Sequence, residues 1–133
     1  MNSLSEPLLS IVMLVARVCL AAVFLVSGIH KGIWFSAAIE EFRMARLPAP
    51  AAFAMGTVIL HVVCSLFIIA GVLVFESALA LAVFTSLATI RVHNCWTCAP
   101  ELRLPRSRVA LANLAVIGGL LLLAVAGPGR FVV

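Results

Sequence analysis

Apolar residues gather into four long runs, and the stretches between them hold nearly all the charge. The first run covers roughly Leu8–Gly28, the second Ala51–Phe75, the third Ser77–Val92 and the fourth Val109–Ala126. Each is near the ~20 apolar residues needed to cross a bilayer as a helix. Helices satisfy their own backbone polar groups, so four spanning helices are the expected architecture. Pro48 and Pro50 stand where the second helix should start, and Gly127, Pro128 and Gly129 where the last should stop. Only Phe75, Glu76 and Ser77 separate the second run from the third, which predicts a tight antiparallel hairpin.

Residues 29–50 break this pattern. Phe35, Ile39 and Phe42 recur at helical spacing, with Glu40, Glu41 and Arg43 opposite. That reads as a short amphipathic helix lying at the membrane interface. The expected fold class is therefore an all-α membrane protein. It is a four-transmembrane-helix bundle with an interfacial helix between the first two spans, and residues 1–133 form one domain.

Composition agrees. The chain is 65% hydrophobic and only 11% charged, with no Asp or Tyr. A water-soluble surface cannot be built from so few charges, so the chain partners with the lipid bilayer. The net charge of +4 is carried by loop arginines and not by a nucleic-acid patch, and no nucleic-acid partner is expected. Lys31, Arg43 and Arg46 fall in residues 29–50, and Arg91, Arg103, Arg106 and Arg108 in residues 91–108. Four spans put these seven on one side and leave Arg130 on the other. By the positive-inside rule, loops 29–50 and 91–108 are cytoplasmic and both termini periplasmic, in a bacterial-type inner membrane. Trp34 and Trp96 fall at the inner boundary, where indole rings prefer to sit. The first basic residue, Arg17, lies inside an apolar run, so no positive leader region of a cleavable signal precedes it.

Two sets of residues could carry chemistry. "HNCWTCAP" at 93–100 contains a Cys-x-x-Cys pair, Cys95 and Cys98. Flanking Arg91 and Arg103, and His93 if protonated, would lower a thiol's pKa and favour the reactive thiolate. The pair could cycle between dithiol and disulfide as the catalytic residues of an oxidoreductase. It could instead bind zinc, with His93, Cys95 and Cys98 as ligands and His30 as a fourth. It could also simply stiffen a loop. The second set is intramembrane. Arg17 and His61 fall at similar predicted depth, with Cys19, Cys64 and Thr85 nearby. A charged Arg in hydrocarbon costs at least ~2.5 kcal/mol and should face the protein interior. Arg17 and His61 could bind an anionic or quinone-like ligand, or Arg17 could bind helix carbonyls. Asn113 and Thr89 read as interhelical hydrogen-bonding residues, and Gly118 and Gly119 as close-packing positions.

Several stretches resemble DoxX-type membrane proteins: "RVCLAAVFLVSGIHKG" at 17–32, "LPAP" at 47–50, His93 with Trp96, and the terminal "GPGRF". Cys95 and Cys98 resemble the related MauE group, which is associated with maturation of a periplasmic amine dehydrogenase. The resemblance implies a four-helix membrane protein that accompanies redox enzymes. It would be an accessory or anchoring subunit, or an assembly factor, with a protein partner in a membrane redox complex. The alternative is a membrane thiol/quinone oxidoreductase using Cys95 and Cys98.

Overall fold

A computed structural model describes residues 5–94 and 96–132. Five helices follow one another: α1 (Glu6–Ile33), α2 (Phe35–Met44), α3 (Pro50–Ala70), α4 (Val74–Arg91) and α5 (Pro100–Ala126). All but α2 are long and apolar enough to cross a membrane. The protein is an all-α, four-span membrane bundle with a short helix after the first span.

The buried face of α1 is a single stripe: Ser10, Arg17, Ala21, Phe24 and Gly28, at steps of three, four or seven. It packs on α3, and two glycines fix the register. A Cβ on Gly28 would lie 2.9 Å from His61 Cβ, and one on Gly32 would lie 3.6 Å from Val58. Hydrogen at these positions lets the two backbones approach. The pairings run in opposite directions along the chain, so α1 and α3 are antiparallel. α4 and α5 form a second antiparallel pair, where Asn113 Nδ2 donates to Thr89 Oγ1 at 2.9 Å. That bond is the interhelical role expected for these two residues. Between the pairs, Phe24, Ile68, Leu81, Leu120 and Leu123 form the main core. Gly119 meets Leu20 of α1, whereas Gly118 faces open space, so only one of the two glycines serves close packing.

The α3–α4 turn lies earlier than the charge at Glu76 suggests. Gly71 adopts φ 80°, and the N–H of Val72 donates to Phe67 O, closing a Schellman-type helix end. Phe75, Glu76 and Ser77 are consequently already inside α4. α5 begins nine residues before the predicted Val109, because Pro100 at the first helical position is preset for a helix start. Pro105 is accommodated near that start.

α2 turns its apolar face toward the bundle. Ala38 and Phe42 are buried against Ala54 of α3, with Phe35 and Ile39 alongside. Glu41 is not on the far face with Glu40 and Arg43. It reaches Lys31 of α1 in a 2.7 Å ion pair, which clamps α2 across the end of the bundle.

Candidate functional site

A cavity of about 200 Å³ opens inside the bundle under α2. It runs from the Lys31–Glu41 pair and His93 down to His61, Thr85 and Asn113, with Phe24, Phe84 and Val116 among its walls. His61 is its focus. The side chain is 5% exposed, and neither Nδ1 nor Nε2 has a hydrogen-bond partner. Two phenyl rings hold it edge-on: Phe24 at 5.3 Å and 78°, and Phe84 at 5.0 Å and 88°. Its plane is thus fixed by packing while its polar atoms go unused. Buried polar groups are normally paired, and an orphan at a cavity wall asks for an occupant.

The neighbouring polar groups are partly spent. Thr85 Oγ1 donates to Leu81 O at 2.7 Å, so only its lone pairs face the cavity. Asn113 uses an N–H on Thr89. His93, at the loop end, is held below its ordinary pKa of 6.5 by burial; Glu41 pulls it up, while Lys31 and Arg106 push it further down. Burial therefore works against a protonated His93, the state in which it would add to the effect on the cysteines.

Arg17 and His61 are not brought together. Continuing the α1–α3 register, Arg17 falls level with Gly71, at the opposite end of α3 from the α2 clamp. The Arg17 side chain is 2% exposed and donates to three main-chain carbonyls: Ile69 O at 3.0 Å, Pro128 O at 2.6 Å and Phe131 O at 2.5 Å. It ties the α3–α4 turn and the chain's last residues to α1. Its Nε is buried without a partner. Cys64 is buried in the main core, and Cys19 is exposed on α1.

The Cys-x-x-Cys loop is shaped by Asn94. Its Oδ1 accepts from the N–H groups of Trp96 and Thr97, and its carbonyl accepts from Arg106 of α5 at 3.2 Å. Such an Asx turn orders the chain around its own side chain. Cys95 lies outside the described residues, and Cys98 is half-buried. His30 stacks on Trp34 with ring centroids 4.4 Å apart. Among the described residues no three His, Cys, Asp or Glu side chains form a group able to hold a metal ion.

Sequence reasoning found His61 but missed Lys31, Glu41, Phe24 and Phe84. The two phenylalanines carry no polar signal. The ion pair forms across the α1–α2 break, where no helical spacing marks it.

A four-span bundle with a polar cavity beneath an amphipathic clamp defines the class: a small polytopic membrane protein with an internal pocket. The DoxX family profile matches residues 12–94, more than half of the chain, and the protein belongs to the DoxX family. The match ends one residue short of Cys95. The chain is also similar to "Inner membrane protein YphA" of Escherichia coli (strain K12), 24% identical over 119 residues, covering 90% of this chain and 85% of that protein. No solved structure matches.

Proposed function

We propose that this protein is an accessory or anchoring subunit of a membrane redox complex, seated in an inner membrane like that named for its YphA relative. The carrying observation is a basic rim at the α2 end. Arg46, Arg91, Arg103 and Arg108 are exposed there, and none is ion-paired among the described residues. Elsewhere on this end Lys31 pairs with Glu41 and Arg43 with Glu40, while Glu101 is exposed in the first turn of α5. An array of unneutralised guanidinium groups fits the carboxylates of a partner protein, because their planar forks bind carboxylates in pairs. Such complementarity chiefly sets encounter rate and orientation.

The test is purification in a mild detergent. The wild-type chain should co-elute with a partner that carries flavin, haem or iron–sulfur absorbance. The triple variant Arg46→Glu/Arg103→Glu/Arg108→Glu should lose that partner while keeping its own helical signal. Elution alone, with only anionic lipid bound, would overturn this reading.

A second reading is a membrane thiol/quinone oxidoreductase. It is favoured by the position of His93, which lines the cavity two residues before Cys95. Two thiols would pass two electrons and two protons to a quinone, leaving a disulfide and a quinol. Loss of turnover in Cys95→Ser and Cys98→Ser, with little further loss in the double variant, would favour it, since members of one unit are non-additive.

A further inference from the structure

The geometry points to the His61 cavity as a binding site for a single hydroxylated aromatic ring. Volume sets the first bound. An apolar cavity of ~150 Å³ holds benzene. At about 200 Å³, this one has room for one ring with one or two small substituents.

Hydrogen-bonding capacity sets the second bound. A neutral imidazole offers one donor and one acceptor. Both His61 nitrogens are buried and unpaired at the cavity wall. Thr85 has given its proton to Leu81 O, so it only accepts, and Asn113 keeps its amide oxygen and a second N–H after donating to Thr89. At the loop end Lys31 and Glu41 both line the cavity, paired with each other. Both donors and acceptors thus face the cavity, and a hydroxyl, which donates and accepts, complements the two His61 nitrogens. The ligand's ring would lie among the apolar walls of Phe24, Phe84, Ala88 and Val116. Edge-to-face contact with such rings contributes beyond area burial.

The hydroxylated ring could be a free phenol or the head group of a tailed hydroquinone lipid. The inference stands whether or not a partner docks at the basic rim, and its readout is binding alone.

The experiment uses the full chain in lipid nanodiscs with 4-fluorophenol as the probe, followed by fluorine NMR. A saturable bound signal, displaced by excess phenol, is expected. His61→Leu should weaken binding about ten-fold, the loss expected when a buried hydrogen-bond partner is removed. Ala88→Leu should abolish binding by filling the cavity from α4 while leaving His61 in place. Displacement by a decyl-tailed hydroquinone would identify the head-group source, whereas displacement by phenol alone would identify the free phenol. Linear partitioning that is the same in wild type and both variants would overturn the site and leave a water-filled hole. Equal binding of fluorobenzene would overturn the hydroxyl requirement.

Discussion

Arg17 shows how a full charge is kept inside a membrane bundle without an acid. Three carbonyls, from Ile69, Pro128 and Phe131, take the donors of its two terminal nitrogens. Arg17→Leu should strip all three and destabilise the protein by about 3 kcal/mol, taking about 1 kcal/mol for each hydrogen bond lost. Arg17→Lys should recover only part of this, because a single ammonium cannot reach three separated carbonyls as a planar fork does. Thermal unfolding followed by detergent size-exclusion measures both. Equal midpoints for wild type and Arg17→Leu would contradict the account. That Arg17 must face inward was legible from its charge alone. Its level was not, because depth counted from the end of an apolar run ignores the register that Gly28 and His61 impose.

At the level of helices, glycine governs two contacts. Gly28 lets α1 approach α3 directly over His61, and Gly71 closes α3 in a left-handed conformation. Gly28→Val should force the two helices apart and perturb the cavity as well as stability, which 4-fluorophenol binding and thermal unfolding together would reveal. Gly71→Ala should cost about 1–2 kcal/mol from its backbone conformation alone. The added Cβ would also meet Val132 at 2.7 Å and Arg17 Nη1 at 2.9 Å, so the measured drop in midpoint should exceed that figure. The four spans were readable because each is a long unbroken apolar run. The α3–α4 turn was harder to place, since Gly71, Val72 and Leu73 are as apolar as the helices they join. The start of α5 was hidden for the opposite reason. Its first turns carry Glu101, Arg103, Arg106 and Arg108, which resemble a polar loop until Pro100 is recognised as a helix opener.

Taken together, the helices divide the protein into two differently built ends. One end holds the start of α1, the segment after α5, the α3–α4 turn and Arg17; the other holds α2, the cavity mouth, the basic rim and the Asn94 turn. By the positive-inside rule, the seven-to-one distribution of basic residues in the loops predicts that this second end faces the cytoplasm. In intact cells, an impermeant maleimide should therefore leave Cys95 and Cys98 unlabelled until the membrane is permeabilised, whereas a cysteine introduced at Glu6 should react at once. The reverse pattern would invert the topology. The fold was largely visible in the sequence, whereas the cavity was not, because it is assembled from five helices whose register no local pattern records. The Arg17 bonds also carry a consequence for biosynthesis. Two of its carbonyl partners lie 111 and 114 residues further along the chain. During translation α1 must enter the bilayer bearing a cation whose main acceptors have yet to be synthesised. The first span is thus provisional when made, and it is locked only once the segment after α5 has been synthesised.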